Sequence, residues 1–263
     1  SMSEFVEFEL KNNIGIVTLN RPEKKNALTL EMLENLTNIG ENLKNEANVL
    51  CVLLTGKAGI FCSGIDVTNF VNLANDKNFL NSLLTPLEGQ TYNKMQRACL
   101  IWQELAVPVI AVLEGPVFGA GLQLALGADL RISNMTTKIS IMETKWGLIP
   151  DMGITQTLPT LMSYDQALLA TLTSRLIEAE EARNLGLITL LVDEPYQKGV
   201  SLAEEFASKS PEALIATKAL YKKAWGKSNA DNLRLEALLQ TELIGSPNQM
   251  EAVLANMENR NPN

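Results

Sequence analysis

The hydrophobic pattern of the chain alternates between short continuous apolar runs, typical of buried strands, and amphipathic segments with helical spacing. Near the N-terminus, residues 5–10 and 15–20 are rich in apolar and β-branched side chains on either side of a short polar turn, which predicts a hairpin. A helix capped by Thr29 follows, and then a continuous apolar run at 49–55. Strand, helix and strand in this order predict a crossover unit.

A second apolar run, residues 107–113, leads into a glycine-rich stretch at 114–129. Gly119 and Gly121 allow a tight turn and a close approach of a ligand, because neither carries a Cβ atom. The helix that is predicted to begin near Ala120 leaves its first N–H groups without intrahelical acceptors. This junction therefore predicts a site for an anion or for a developing oxyanion.

The same stretch almost matches the dinucleotide-binding pattern G-x-G-x-x-G. Leu124 replaces the third glycine, and five residues separate the apolar run from Gly119, whereas the dinucleotide loop begins in the turn of the strand itself. These two departures disfavour a dinucleotide site. A glycine-rich turn without a ligand stays open on this evidence alone.

The rest of the chain is predicted to be mostly helical. Residues 67–89 carry Asn and Asp clusters and a proline, so they are expected to be the least regular part, and residues 143–153 form a loop with two glycines. Helical patterns occur at 90–105, 155–162, 165–172, 178–185, 196–208, 211–227, 231–244 and 248–258. The last helices follow no strand that they could cover, so we expect their apolar faces to pack on the core or on another copy of the chain.

Composition narrows the class of protein. The 263 residues are 46% hydrophobic and 20% charged, which fits one main globular domain with an appendage. The net charge of −8 disfavours a nucleic-acid partner, since such binding needs a basic face. No targeting signal is recognised and no apolar run approaches the ~20 residues that span a bilayer, so we expect no membrane partner and a cytoplasmic location.

The residue types restrict the possible chemistry. The chain has three cysteines, an odd number, and a disulfide framework is not expected. It has no histidine, so acid–base chemistry must use carboxylates, lysine, tyrosine or cysteine. Cys62 has no basic neighbour in the sequence, which favours a structural role over a nucleophilic one.

Two junctions, at 61–66 and at 115–123, each place small residues and free backbone N–H groups after a buried strand. Together they resemble the paired oxyanion-hole segments of the crotonase superfamily, also called the enoyl-CoA hydratase/isomerase family. The resemblance extends along nearly the whole chain. Its motifs, in order, are 20–28 (NRPEKKNAL), 62–66 (CSGID), 108–112 (PVIAV), 115–129, 147–150 (GLIP) and 210–213 (SPEA) with Lys218.

The resemblance implies an α/β fold: a crotonase-like spiral of ββα repeats over residues 1–195, which binds and converts the substrate, and a C-terminal helical trimerisation region over 196–263. It also implies a homotrimer or a dimer of trimers. The implied ligand is an acyl-CoA thioester. Coenzyme A would be part of this substrate, and neither a separate cofactor nor a metal is expected.

The positions that match the two oxyanion donors of the family are Ser63 and Ala120. Family hydratases use two glutamates; here Glu143 matches one of them, whereas Gln123 stands at the position of the other. Asp151 lies where dienoyl-CoA isomerases and some other members carry an aspartate. The resemblance further implies a set of residues that contact CoA or substrate: Arg21, Lys24, Lys25, Ala27, Gly64, Ile65 and Asp66.

Because Gln123 cannot exchange a proton, we favour double-bond isomerisation of an unsaturated acyl-CoA, with Glu143 as the base and Asp151 assisting. Hydration stays open, since Gln123 could orient a water while Glu143 makes both proton transfers. Thioester hydrolysis and a crotonase-fold binding protein without turnover are further alternatives. The sequence does not specify the acyl chain.

Overall fold

A computed structural model describes residues 5–227 and 230–263. Its larger sheet has six strands in the order β1-β2-β3-β4-β6-β9. β1 and β2 form the predicted N-terminal hairpin, and every other neighbouring pair is parallel. The strands are β1 Val6–Lys11, β2 Ile14–Leu19, β3 Cys51–Gly56, β4 Val109–Leu113, β6 Leu130–Ser133 and β9 Leu190–Leu191.

A second sheet of three short strands lies beside the carboxyl ends of β3 and β4 and has the order β5-β7-β8. Its strands are β5 Pro116–Phe118, β7 Lys138–Ser140 and β8 Ile177–Glu178. An isolated parallel bridge pairs Cys62 with Val117, so the chain that leaves β3 is tied to the chain that leaves β4. This pairing brings the two glycine-containing junctions together.

Helices cover both faces of the larger sheet. α1 begins after Thr29, whose side-chain oxygen accepts a hydrogen bond from the Met32 N–H at 3.2 Å, as the sequence predicts. The helices are α1 Leu30–Leu43, α2 Val67–Ala74, α3 Lys77–Leu84, α4 Lys94–Leu100, α5 Ala120–Leu126, α6 Ile154–Thr157, α7 Tyr164–Thr173, α8 Ala179–Asn184, α9 Pro195–Ala207, α10 Pro211–Ala224, α11 Ala230–Leu243 and α12 Pro247–Met257.

Residues 67–89 are more regular than the sequence pattern suggests. They contain α2 and α3, and the side chains of Asp66 and Asp76 cap these helices by accepting the N–H groups of Asn69 and Phe79. Aspartate is a strong N-cap, so the acidic residues that suggested irregular chain in fact begin helices. The predicted helix over 90–105 starts only at Lys94 and ends in a 3-10 turn.

The helices after residue 195 differ in how much they bury. α9 packs against β3, β4 and β6, where Ala203 lies in a hydrophobic cluster with Leu53 and Ile110. The predicted domain division at 195/196 falls at the start of this sheet-covering helix and stays a prediction. α10 and α11 bury no residue, and α12 buries only Ala255. Within the described ranges, no helix is long and apolar enough to cross a membrane.

Candidate active site

The site is built on two chain segments that run side by side. The Cys62 N–H donates to the Pro116 carbonyl, and the Phe118 N–H donates to the Cys62 carbonyl, both at 3.1 Å. A Cβ atom on Gly64 would lie 3.1 Å from the Phe118 oxygen, and one on Gly121 would overlap the Cys62 oxygen. Glycine at these two positions is therefore required by the close approach of the segments.

The first backbone donor is at the start of α5. Gly119 has a φ of 54°, and its own N–H donates to the Ser140 carbonyl at 3.0 Å. The first N–H that bonds back within this turn is that of Gln123, which donates to the Gly119 carbonyl at 3.0 Å. The Ala120 N–H has no acceptor within residues 5–227 and 230–263, so it is free to bind a ligand oxygen.

The second donor differs from the one that the sequence suggests. The Ser63 N–H already donates to the Lys25 carbonyl at 3.0 Å, so it cannot bind a ligand without losing that bond. Two residues on, the Ile65 N–H has no acceptor in the described part of the chain. Of these two N–H groups, only that of Ile65, which the sequence placed among the substrate contacts, is therefore left for a ligand.

Glu143 lies in a 3-10 turn that follows β7, next to the first donor. Its Oε1 would be 3.4 Å from a Cβ atom on Gly119. Its Oε2 is buried and has no hydrogen-bond partner among the described residues. Burial, as the main cause, raises the pKa of the Glu143 carboxyl above its ordinary value. A partly desolvated carboxylate with one unpartnered oxygen is suited to accept a proton from a ligand.

Gln123 is 3% exposed, so it is a core residue and not a helix-surface glutamine. Its Nε2 donates to Glu143 Oε1 at 3.1 Å, and its Oε1 accepts the Met152 N–H at 2.7 Å. Because the two partners demand a donor and an acceptor, they fix the orientation of the amide. Gln123 thus holds one oxygen of Glu143 and leaves the other unpartnered.

Asp151 precedes Met152 in the same loop and is exposed. Desolvation raises the pKa of its carboxyl, and its charge in turn contributes to the raised pKa of Glu143. No hydrogen bond joins Asp151 to Glu143 in the described part of the chain. The structure therefore places Asp151 close enough to affect the Glu143 carboxyl through its charge, without a hydrogen bond to it among the described residues.

The four charged residues that were expected to contact CoA or substrate divide into two groups. Lys24 and Lys25 are exposed on a turn and can meet an anion. Arg21, in contrast, forms an ion pair with Asp66 at 2.7 Å, and its Nη1 also donates to the Ala27 carbonyl at 3.0 Å. The Arg21 and Asp66 side chains are 13% and 14% exposed, so the charge of Arg21 is already neutralised inside the protein.

The three cysteines are free and buried. Burial raises the pKa of the Cys62 thiol to about 12, and the thiol lies against backbone carbonyls of Asn26 and Gly64. A thiol with this pKa is not a nucleophile near neutral pH. This agrees with the structural role that the sequence favours for Cys62.

The sequence matches the model of the enoyl-CoA hydratase/isomerase family over residues 9–263, so the chain belongs to this family and is an enzyme of the crotonase superfamily. A relative from Bacillus subtilis (strain 168), the enoyl-CoA hydratase/isomerase YngF, is 31% identical to this chain over 263 residues. The match covers 98% of this chain and 97% of YngF. A peroxisomal Δ(3,5)-Δ(2,4)-dienoyl-CoA isomerase of Arabidopsis thaliana is 28% identical, covering 98% of this chain and 95% of its own.

Among solved structures, an enoyl-CoA hydratase from Bacillus anthracis superposes with a TM-score of 0.88 at 27% identity, covering 99% of this chain and 98% of its own. The predicted crotonase-like fold is confirmed. The family acts on acyl-CoA thioesters. Its members include hydratases as well as a dienoyl-CoA isomerase, so membership alone leaves the reaction of this chain open.

Sequence reasoning missed two parts of the site. The Met152 N–H, which holds Gln123, lies in a loop whose contacts no local pattern encodes. The choice of Ile65 over Ser63 depends on which N–H the turn at 20–28 consumes. Spacing along the sequence gives no signal for this choice, since in an extended chain the N–H groups of residues i and i+2 point to the same side.

Proposed function

We propose that this protein isomerises the double bond of an unsaturated acyl-CoA through a thioester enolate. The observation that carries the proposal is the arrangement at Glu143: one oxygen held by the Gln123 amide, the other buried and unpartnered. A single carboxylate with one reactive oxygen is suited to moving one proton between two carbons.

The N–H groups of Ile65 and Ala120 would bind the thioester carbonyl oxygen. Glu143 Oε2 would take a proton from the carbon next to the carbonyl, and the electron pair of that C–H bond would move onto the oxygen as an enolate. The two N–H groups stabilise this charge, and losing one such donor typically costs about 3 kcal/mol of barrier. The same oxygen would return the proton two or four carbons away, which shifts the double bond and leaves Glu143 ionised.

Hydration is the second candidate, because solved relatives are enoyl-CoA hydratases. It needs a water that is both activated and oriented. Both polar atoms of Gln123 already hold protein groups, the Glu143 carboxylate and the Met152 N–H, which leaves the amide less free to orient water. This contact pattern favours isomerisation. Thioester hydrolysis and binding without turnover are outcomes that the experiment below distinguishes.

The experiment is incubation with 2-enoyl-, 3-enoyl- and dienoyl-CoA thioesters in heavy water, with products and deuterium positions followed by NMR. We expect deuterium next to the carbonyl and a shifted double bond from the wild type, and neither from Glu143→Gln, which keeps its affinity for CoA. Glu180→Gln, an exposed carboxyl on α8, is the matched control and should behave as the wild type. Undiminished exchange in Glu143→Gln would remove Glu143 from the mechanism, and a wild type that gives neither exchange nor any product with the three thioesters would leave binding alone.

We further propose that the substrate brings the only coenzyme, as part of the thioester, and that Lys24 and Lys25 meet its phosphates. Asp151 is proposed to assist Glu143 through its charge. The cytoplasmic location expected from the sequence stays a prediction.

The C-terminal helices support a homotrimer or a dimer of trimers. Large apolar side chains on α10, α11 and α12, or directly after α10 and α11, are exposed in the single chain, and this arrangement is unfavourable unless another surface covers them. These side chains are Ile215, Tyr221, Trp225, Leu233, Leu238, Ile244, Met250, Val253, Leu254 and Met257.

A further inference from the structure

Asn26 is a fully buried polar residue in the turn that follows β2. Its backbone is in the left-handed region with a φ of 54°, which asparagine tolerates better than most residues. Its Oδ1 accepts the Arg21 N–H and its Nδ2 donates to the Ile60 carbonyl, both at 2.7 Å. One side chain therefore ties the start of the turn to the chain that leaves β3.

The same turn determines which way the Ile65 N–H points. The Leu28 N–H donates to the Gly64 carbonyl at 2.7 Å, and the Leu28 carbonyl accepts the Asp66 N–H at 2.8 Å. In a trans peptide the carbonyl and the following N–H point in opposite directions. Because the Gly64 carbonyl points toward Leu28, the Ile65 N–H points away from the turn and is left for a ligand.

Further bonds hold the segment just before Ile65. The Ser63 N–H donates to the Lys25 carbonyl at 3.0 Å, and the Cys62 thiol contacts the Asn26 carbonyl at 3.2 Å. Both carbonyls belong to the stretch of turn that the Asn26 side chain fixes. A shift of Asn26 would therefore move the acceptors that hold residues 62 and 63.

The far end of the segment is held by charge. Asp66 receives the Arg21 guanidinium at 2.7 Å, while its other oxygen caps α2 through the Asn69 N–H at 3.0 Å. The hydrogen bond from the Asn69 N–H has the largest effect, and together with the one from Arg21 it holds the pKa of the Asp66 carboxyl below its ordinary value. Arg21 thus links Asp66, which directly follows Ile65, to the turn that contains Asn26.

The geometry points to Asn26, together with the Arg21–Asp66 ion pair, as the positioning device for the Ile65 N–H. This inference rests on the proposed function and deepens it: Arg21 and Asp66, expected to contact CoA, act on the thioester carbonyl through the backbone donor. Oxyanion stabilisation depends on donors held near 3 Å from the developing charge, and a misplacement of about 1 Å can cost roughly 100-fold in rate.

The test uses Asn26→Asp, which keeps the size and the Oδ1 acceptor but cannot donate to the Ile60 carbonyl. In an otherwise wild-type chain we expect kcat to fall about 10- to 100-fold with little change in KM, because the donor and not the CoA site is disturbed. In a Glu143→Gln background, the bound thioester is not consumed, and isotope-edited infrared spectra report the polarisation of its labelled carbonyl. We expect Asn26→Asp to reduce the shift of this band to lower frequency.

Asn20→Asp is the matched control. It makes the same chemical change at the start of the same turn, where the side chain bonds Glu7 at 2.9 Å and not the 60–66 segment. It should keep the carbonyl shift even if its melting temperature falls. The inference would be overturned if the carbonyl band shifted equally with and without Asn26→Asp in the Glu143→Gln background and Asn26→Asp left kcat unchanged. If the band did not shift in Glu143→Gln itself, that result would contradict the proposed function instead. If Asn26→Asp does not fold, Asp66→Asn takes its place, because it keeps the cap of α2 and loses the ion pair with Arg21. The same two measurements, kcat and the carbonyl band, then test the inference.

Discussion

Replacing Gln123 with glutamate changes the site by one atom in a buried position. The Gln123 Nε2, which donates to Glu143 Oε1 at 3.1 Å, becomes a carboxylate oxygen at the same place. The acceptor for the Met152 N–H is retained, since the other side-chain atom stays an oxygen. The substitution therefore tests the electrostatic part of the Gln123–Glu143 contact with almost no change in shape.

The size of the effect follows from the distance. Two unit charges 3.1 Å apart repel by about 5 kcal/mol at an effective dielectric constant near 20. This repulsion raises the pKa of the second ionisation of the pair well above that of an ordinary glutamate. Gln123→Glu is thus expected to keep one proton in the pair near neutral pH, bound between the two carboxyl groups.

The sign of the pH dependence follows. The pair binds its shared proton with a pKa above that of a glutamate in the unfolded chain, so between about pH 4.5 and the raised pKa the folded state holds more protons. The stability of Gln123→Glu relative to the wild type must then fall as pH rises through this window. Gln123→Met removes the hydrogen bond that lowers the pKa of Glu143 but adds no charge, so its stability relative to the wild type should fall in the same direction with rising pH, by less than that of Gln123→Glu.

The functional consequence is a second group that can exchange a proton. Melting temperatures and rates would be measured between about pH 5 and 9, with 2-enoyl-CoA for hydration and 3-enoyl-CoA for isomerisation. We expect the ratio of hydration to isomerisation to rise in Gln123→Glu, because one carboxyl can activate water while the other supplies a proton. As the pH is lowered, the wild-type rate should begin to fall at a pH above the pKa of an ordinary glutamate, because burial raises the pKa of Glu143.

Two results would refute this reasoning. A melting temperature that follows the wild type at every pH would show that the two side chains do not lie together as carboxyl groups. A fall in both activities, with the expected coupling present in the melting curves, would show that Gln123 does not select between the reactions.

Two further predictions concern the C-terminal helices. Lys218 forms an ion pair with Asp129 at 2.7 Å and is only 10% exposed, so Lys218→Met should lower the free energy of unfolding by about 3 kcal/mol in denaturant titrations. Lys222→Met is the control, since Lys222 lies 3.8 Å from Asp129 and is 38% exposed, and its loss should cost less than about 1 kcal/mol. Equal losses of stability in the two variants would contradict the view that the buried Lys218–Asp129 ion pair is the stabilising one. Light scattering should give three or six times the mass of one chain, and a monomer at micromolar concentration would rule out the assembly.

The sequence by itself determined most of the elements, with α2 and α3 as exceptions. Apolar runs predicted β3 and β4 because a strand covered on both faces needs apolar side chains throughout. Thr29 predicted the start of α1, and the glycines after β4 predicted a turn that leads into α5 with an unpaired N–H at Ala120. These features depend on backbone geometry within a few residues, so a local pattern is sufficient to find them.

The tertiary structure decided which groups are left available for a ligand. Ser63 and Ile65 lie two residues apart in similar surroundings along the sequence, and only the turn at 20–28 distinguishes them by consuming one N–H and leaving the other. In the same way, Arg21 resembles a free cation in sequence, yet Asp66, 45 positions later, neutralises it. Such choices depend on partners distant in the chain, which local spacing does not specify.

Gln123 shows both contributions. The sequence identifies it as an amide where a proton-exchanging group is expected, and so raises the question of which reaction occurs. The fold buries it and aligns it between Glu143, 20 residues away, and Met152, 29 residues away. Burial makes this amide structurally important, because a buried amide must satisfy both of its polar atoms and in doing so holds the Glu143 carboxylate in place.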